Sequence, residues 1–476
     1  MGAFDACRHH RRPRGEPRAV ARAPSACNRC DQVLRWRVKC VSAIAIGLCL
    51  SVATVTLSAA EPSDFPVAKI LSGREIQTLI LKDFIRFDPD YVAHRQRLVR
   101  WLDSLGWRLA ALQASGDHME CSNEIYLEAK WLHRYTAYWD RLKRRLEDLQ
   151  KSLDQVNQDF ATQQSPETGL WGACYEQPFF KLEATFLALI QLQALGKTPR
   201  IPVHLPPPFN AWPTSWQHFY GLLVSDIAHT GVDNRGELGN IATIASLTYL
   251  KDYMQHYLNT EVMGLWNEAE PDAKLQLYRQ LFSDYVDAWQ DPTTGYWGPW
   301  YLSDGQLYNA TDLSFTFHII SYRHGKVNYW PEIIRTTLAI QDEPYPFGFA
   351  GGFTNHNDYD VAKILRYAWP RMSVEQQGKA AALINDMLQW TLTSSLQSDG
   401  SFKVVPQAFS SVDADFYFGV AFLDIAGYWD PGKRFWTKQE FPDARSTCER
   451  IKTKLKALAP NSLESQSALA TLEDAC

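Results

Sequence analysis

Residues 290–298 read Gln-Asp-Pro-Thr-Thr-Gly-Tyr-Trp-Gly, and residues 164–172 read Gln-Ser-Pro-Glu-Thr-Gly-Leu-Trp-Gly. A reduced form, Gln-Ser-Asp-Gly-Ser-Phe, occupies residues 397–402. Each copy follows a segment with helical periodicity. Each also precedes, after a short loop, a strongly apolar segment: 179–190, 313–322 and 416–425. The repeat therefore predicts helical hairpins that are connected through glycine-containing turns.

Three further places have the same outline without the Gln. Glycine-containing loops precede apolar segments at 124–132, 238–250 and 359–365. Six units of this length suit pairs of helices in which an inner apolar helix is buried only by its neighbours. Amphipathic segments at 95–112, 136–156 and 275–289 fit the outer positions. We therefore expect an all-α (α/α)6 toroid of six helical hairpins as a single domain over 61–440, and a tail helix in 441–476.

The spacing Gln-x4-Gly-x-Trp resembles the QW repeats of terpenoid cyclases and protein prenyltransferases, which fold as α/α toroids. The six-hairpin glycosidases share that barrel, so the fold alone leaves the activity open. The resemblance implies a structural role, in which the motif holds helix ends and loops together, for Gln164, Gly169, Trp171, Gln290, Gly295 and Trp297. The acidic motif of the cyclases has only a partial counterpart in Asp413-Ala-Asp415, which is followed by Phe416. This departure argues against cyclase chemistry.

The amino-terminal 60 residues have the character of a leader. Residues 1–40 contain ten Lys and Arg against three Asp and Glu, and residues 41–60 are uncharged and end in Ser58-Ala-Ala60. The order of basic, apolar and small residues is typical of a secretory signal. We expect translation to start near Val38, cleavage before Glu61, and a periplasmic or secreted protein. The other interpretation is an uncleaved signal anchor, which would be the only membrane contact.

The charge of the chain after the leader limits the classes of partner that it can bind. The whole chain has 48 Lys and Arg against 53 Asp and Glu, and the leader holds a disproportionate share of the basic residues. The chain after the leader is acidic and lacks the basic surface that binds the phosphates of nucleic acid. Phosphate-binding loops, dinucleotide fingerprints and zinc-protease motifs are absent from the sequence, so we predict neither a cofactor nor a metal. Carbohydrate is the expected partner.

In a toroid, the loops before all six inner helices share one rim and line one funnel. These loops are rich in carboxylates, Trp and Tyr, a combination that suits a glycan. Paired carboxylates are what glycoside hydrolysis requires. The sequence thus predicts an exported enzyme, an inverting glycoside hydrolase in the first instance. The candidate catalytic residues are Asp312, Asp358, Glu124, Glu237, Asp415 and His356. The candidate substrate-binding residues are Asn355, Tyr359, Trp300, Tyr301, Phe353 and Arg235.

Three alternatives accompany this hypothesis. The first is that Asp312, Asp358 and Asp415 only cap helix N-termini, and that His318 is a hydrogen-bonded core residue. The second is a polysaccharide lyase, because Asn355, His356 and Tyr359 are similar in type to the sites of toroid-fold lyases. In those enzymes Asn and His neutralise a uronate carboxylate and Tyr transfers the proton. The third is a non-catalytic glycan-binding or envelope protein.

Four cysteines follow the leader: Cys121, Cys174, Cys448 and Cys476. An exported protein can form disulfides, and four cysteines allow three pairings. The repeat places Cys121 and Cys174 in the rim loops of neighbouring hairpins, whereas Cys448 and Cys476 both lie in the tail. We predict the pairs Cys121–Cys174 and Cys448–Cys476. The alternative is four free thiols.

Overall fold

We analysed a computed structural model of the chain, which describes residues 67–115, 129, 142–144, 146–147, 150, 164–172, 185, 188–189, 192, 196–203, 216–231, 233–234, 280–281, 283–350, 353–404, 411–460 and 463–476. The described part is mostly helical with a small sheet. The α-helices of this part are α1 (Gly73–Phe87), α2 (Tyr91–Ala114), α3 (Trp216–Leu223), the single turn α4 (Ile227–Thr230), α5 (Leu313–Tyr322), α6 (Trp330–Ala339), α7 (Asn355–Ala368), α8 (Val374–Trp390), α9 (Val412–Ile425), α10 (Ala444–Ala457) and α11 (Leu463–Ala475). Residues 283–289 are also helical.

Local sequence signals set the ends of several helices. A capping box begins α1, where the Ser72 hydroxyl accepts from the Glu75 N–H and the Glu75 carboxylate accepts from the Ser72 N–H. Ser373 and Gln376 form the same box at the start of α8. Leucines spaced by three and four residues, from Leu98 to Leu109, give α2 one buried face. These helices follow from short-range chemistry.

The small sheet corrects the expectation of an all-α chain. Its strands are β1 (Lys69–Ile70), β2 (Val224–Ser225), β3 (Trp300–Ser303) and β4 (Gln306–Asn309), in the order β1-β4-β3-β2. Strands β3 and β4 form an antiparallel hairpin, and β1 and β2 add to its two edges in parallel. Asp304 and Gly305 make the two-residue turn, both with positive φ, as a hairpin of this kind requires. The sequence did not predict these strands because strands this short leave almost no alternating pattern.

The helices that follow the sheet form two rows. Helices α5, α7, α9 and α11 are successive neighbours, although α6, α8 and α10 intervene in the chain. We call this succession of four helices the inner row. Helices α6 and α8 contact each other and α7, so they form a second row beside the inner row, and α10 packs on α11. One hydrophobic core extends through both rows, from Phe219 to Leu472. The predicted apolar segment 313–322 coincides with α5, and 359–365 and 416–425 lie within α7 and α9.

The two full copies of the Gln motif fold in the same way. The Gln290 side-chain amide donates to the carbonyl of Gly295 (2.8 Å) and to that of Asn328 (2.9 Å), beyond the next helix. Gln164 donates in the same manner to Gly169 (2.9 Å) and to Ile201, 37 residues later. Each motif thus ties its own turn to a backbone carbonyl 37 or 38 residues further along the chain. This is the structural role that the resemblance implies.

Glycine is required in these turns. Gly169 and Gly295 have φ values of +70° and +71°, and a Cβ on Gly169 would lie 1.9 Å from the Pro202 carbonyl oxygen. The reduced copy differs, because the Gln397 amide donates only to the nearby Ser395 carbonyl. The third copy therefore lacks the long-range tie.

The carboxyl-terminal segment contains two helices where one was expected. Helices α10 and α11 pack together, and α11 also packs along α9 as the next member of the inner row. A disulfide joins Cys448 of α10 to Cys476 at the chain end, with 6.2 Å between the Cα atoms. This pairing confirms one of the two predicted bridges. Cys121 and Cys174 lie outside the described residues.

Candidate functional site

The three candidate carboxylates on the inner row are all buried. Asp312 is the N-cap of α5, and its side chain accepts from the Phe315 N–H at 3.0 Å. The N-caps of α7 and α9 are instead Thr354 and Ser411. Asp358 and Asp415 lie one turn inside those helices, so the capping interpretation is right for Asp312 and wrong for the other two.

Burial controls the chemistry of these carboxyl groups. Asp312, Asp358 and Asp415 are 1%, 0% and 3% exposed. Burial raises the pKa of Asp358 well above its ordinary value. Thr391 and the Thr354 backbone lie near enough to lower it in part, although neither carboxyl oxygen of Asp358 makes a hydrogen bond within the described residues. Asp415 accepts from the side-chain amide of Asn355 at 3.3 Å, which connects α7 to α9. All three carboxyl groups are closed off from solvent.

A different set of side chains is partly exposed on the same three helices. We call it the aromatic face, and it comprises His318, Tyr322, His356, Tyr359, Lys363, Tyr417 and Phe418. Two come from α5, three from α7 and two from α9. On α5 and α7 they are spaced by three or four residues, which keeps them on one side of each helix, and Tyr417 and Phe418 are adjacent on α9. The face therefore runs across three neighbouring inner helices.

Close contacts connect the members of this face. The Lys363 ammonium donates to the Tyr359 hydroxyl at 2.9 Å, and His318 Nδ1 is 3.0 Å from the Tyr322 hydroxyl. The His356 ring packs edge-on against Phe418 with 4.3 Å between centroids. Tyr359 reaches α9 through Tyr417, at 6.3 Å between ring centroids. Tyr359 also packs on Phe418, at 6.1 Å between ring centroids, so His356 and the Tyr359–Lys363 pair meet at one aromatic ring.

Burial sets the protonation of the polar members. It lowers the pKa of His356 to about 4 and, with help from the charges of His356 and Lys363, that of His318 to about 3. Burial also raises the pKa of Tyr359 and lowers that of Lys363, against the attraction of Asp360. At neutral pH the site holds two neutral imidazoles and a protonated phenol. Such groups can accept and donate protons, and the buried carboxyl group of Asp360 lies 3.7 Å from His356 Nε2.

Several predicted binding residues are placed elsewhere. Trp300 and Tyr301 belong to β3 and are 4% and 2% exposed, so they are core residues and cannot stack on a sugar. Asn355 is buried against Asp415, and Phe353 packs on the Trp390 ring. Glu124, Glu237 and Arg235 lie outside the described residues. Of the predicted site, the aromatic face retains His356 and Tyr359.

Lys363, Tyr322 and Phe418 were missed as site residues, and His318 was assigned to the core. Lys363 had a usable signal in the sequence, because it follows His356 by seven residues and Tyr359 by four. Residues at that spacing lie on one side of a helix. His318 makes the predicted hydrogen bond, to the Tyr322 hydroxyl, but it is partly exposed and not a core residue.

Comparisons with protein-family models, with characterised proteins and with solved structures gave no match to this chain. Among the described residues, no helix has the length and apolar character needed to cross a membrane. Within the same residues, no group of three or more His, Cys, Asp or Glu side chains is arranged to hold a metal ion.

Proposed function

We propose that this protein is an exported α/α-toroid enzyme that cleaves an acidic polysaccharide by β-elimination. The observation that carries the proposal is the aromatic face, which brings His356, Tyr359 and Lys363 together on a partly exposed surface. The toroid is supported by the row α5, α7, α9 and α11 with α6 and α8 outside it. Export is supported by the apolar segment 41–60, which lies outside the described residues.

Elimination fits the geometry better than hydrolysis does. An inverting glycosidase needs two carboxyl groups on either side of the bond that is cut, about 6.5–9.5 Å apart. Asp312, Asp358 and Asp415 are buried between helices, and Asp312 is engaged as a cap. A lyase needs a proton acceptor, a proton donor and a positive charge for the substrate carboxylate. The aromatic face offers His356 as the acceptor, Tyr359 as the donor and Lys363 as the positive charge.

The reaction can be assigned atom by atom. The neutral imidazole of His356 takes the proton from the carbon that bears the uronate carboxylate. The electron pair left behind forms a carbon–carbon double bond, and the glycosidic C–O bond on the adjacent carbon breaks. The Tyr359 hydroxyl supplies the proton to the departing oxygen. Lys363 binds the carboxylate and stabilises the charge that builds up on it.

The test is a screen of acidic and neutral polysaccharides in which unsaturated products and new reducing ends are measured in parallel. We expect unsaturated products from a uronate-containing chain, and their loss by about 10²-fold or more in Tyr359→Phe and His356→Gln. Tyr329→Phe, at an exposed tyrosine that immediately precedes α6, is the matched control. Reducing ends without the double bond would support a hydrolase instead. Binding without cleavage of any polysaccharide would support the non-catalytic protein.

Export has a separate test. We expect the mature protein, isolated from the cell envelope or the medium, to begin close to Glu61. Amino-terminal sequencing that reads through residues 41–60 would instead support the signal anchor.

A further inference from the structure

A cleft opens between α7, α9 and α11 where the aromatic face ends. It has a volume of about 660 Å³ and shares Tyr359, Lys363 and Tyr417 with that face. It continues past them toward the carboxyl-terminal ends of α7 and α9, where Arg366 and Lys433 line it. The cleft and the proposed reaction site are therefore continuous, and a chain-like ligand could occupy both.

The charge of the cleft is opposite to that of the protein. Four cations line it, and the single carboxylate among its lining residues is Asp424. The cations are Lys363, Arg366, Arg371 and Lys433. The chain as a whole carries a net charge of −5. Positive charge gathered in a concave site of an acidic protein favours an anionic ligand.

Arg366 and Arg371 have no carboxylate within salt-bridge distance in the described part of the chain. Lys433 is paired with Asp424, with both carboxylate oxygens within 2.8 Å of its Nζ. Arg366 uses one terminal nitrogen, Nη1, to donate to the carbonyls of Ile425 and Lys433. Arg371 uses Nη1 for the Tyr367 carbonyl and lies over the Trp330 ring.

Arg366 has the geometry to bind an oxyanion. Among the described residues, neither its Nε nor its Nη2 makes a hydrogen bond, and these two nitrogens form the edge that binds a carboxylate or a sulfate with two parallel bonds. Its guanidinium is held in place by the two carbonyls and by the Phe435 ring, 5.6 Å away. A preorganised fork loses little freedom when a ligand binds.

We propose that this cleft binds a second oxyanion of the substrate, so that the enzyme recognises a polyanionic glycan with acidic groups on successive units. Lys363 holds the acidic group at the reaction site, and Arg366 with Arg371 holds the next one. The tyrosines of the cleft contact the sugar rings between them. This inference names the substrate class of the proposed enzyme and rests on that function. The shared chemistry is an oxyanion, whether a carboxylate or a sulfate ester.

Calorimetry on the full chain tests the inference directly. The probes are a short oligogalacturonate, a sulfated oligosaccharide and a neutral malto-oligosaccharide of equal length. We expect binding of at least one acidic probe and none of the neutral one. The affinity should fall as salt rises from about 0.15 to about 0.5 M, because the charges are screened. The better acidic probe identifies the oxyanion.

Variants then assign the binding to the cleft. We expect Arg366→Gln and Arg371→Gln each to weaken the acidic probe by about tenfold or more, as expected when a charge-assisted hydrogen bond is lost. Arg445→Gln, at an exposed arginine on α10, is the control and should have no effect. Arg371 is itself exposed, so its variant keeps the test decisive if loss of Arg366 impairs folding.

Failure of the inference and failure of the proposed function give different results. Equal binding of neutral and acidic probes, or unchanged binding in both arginine variants, would overturn the inference even if uronates are cleaved. Salt-sensitive binding that depends on Arg366 and Arg371, without any unsaturated product, would support the inference and reject elimination.

Discussion

The ammonium of Lys363 donates a 2.9 Å hydrogen bond to the hydroxyl of Tyr359, one turn earlier on α7. The same ammonium lies 5.2 Å from the centre of the Tyr359 ring and 5.6 Å from that of Phe317. A lysine held among aromatic rings loses solvation, and that loss lowers its pKa. The pair therefore joins a poorly solvated charge to a phenol that can transfer a proton.

Lys363→Gln tests the role of this charge. We expect turnover of an acidic polysaccharide to fall by about 10²-fold or more, because the substrate carboxylate loses its counter-charge. Lys363→Arg should restore part of the rate, since it keeps the charge. Steady-state kinetics on both variants, with exposed Lys379→Gln as control, measures this. Full activity in Lys363→Gln would remove Lys363 from the mechanism.

Asp358→Asn should stabilise the protein at neutral pH. The folded-state pKa of Asp358 lies above its unfolded value of about 3.9, so its contribution to stability is fully present below pH 3.9 and is lost as pH rises through the folded pKa. Asparagine has no such penalty. We expect a higher free energy of unfolding at pH 7 and a smaller gain near pH 4, measured by urea denaturation.

Asp386→Asn is the matched control for Asp358→Asn, because Asp386 is exposed on α8. It should leave the free energy of unfolding within about 0.5 kcal/mol of the parent at both pH values. A large loss of stability in Asp358→Asn at pH 7 would show that the folded protein uses an ionised Asp358.

Asp312→Ala removes an N-cap. We expect the free energy of unfolding to fall by about 0.5–2 kcal/mol, because the Phe315 N–H loses its acceptor. Asp312→Asn should lose much less, since asparagine also caps. Both variants should retain activity in the folded fraction. Loss of turnover in Asp312→Asn at unchanged stability would restore Asp312 as a catalytic carboxylate and with it the hydrolase hypothesis.

The disulfide between Cys448 and Cys476 should stabilise the carboxyl-terminal pair of helices. It spans 28 residues, and cross-linking a loop of that length is worth about 3–4 kcal/mol in the chain-entropy description. Cys448→Ser and Cys476→Ser should each lower the free energy of unfolding by a similar amount. Reductant should affect the parent and not the variants. A thiol count showing both cysteines free in the purified protein would contradict the bridge.

Short-range features of this protein could be predicted from its sequence. Helix α5 coincides with the predicted segment 313–322 because an acidic cap precedes an apolar run. The turns at Gly169 and Gly295 were recognisable because only glycine suits their backbone and because Gln and Trp recur at fixed offsets. The hairpin at Asp304 and Gly305 carried its own turn signal, which the short strands around it obscured.

The tertiary structure decided which polar residues reach the protein surface. Along α7, Asn355, His356 and Asp358 differ by fractions of a turn, yet Asn355 and Asp358 are buried and His356 is partly exposed. What buries Asn355 is α9, through Asp415, which lies 60 residues later in the chain. Helical periodicity orders the residues around one axis. Which side of that axis meets a neighbouring helix depends on packing between segments far apart in sequence, so the buried carboxylates and the basic cleft emerged only when the helices were assembled.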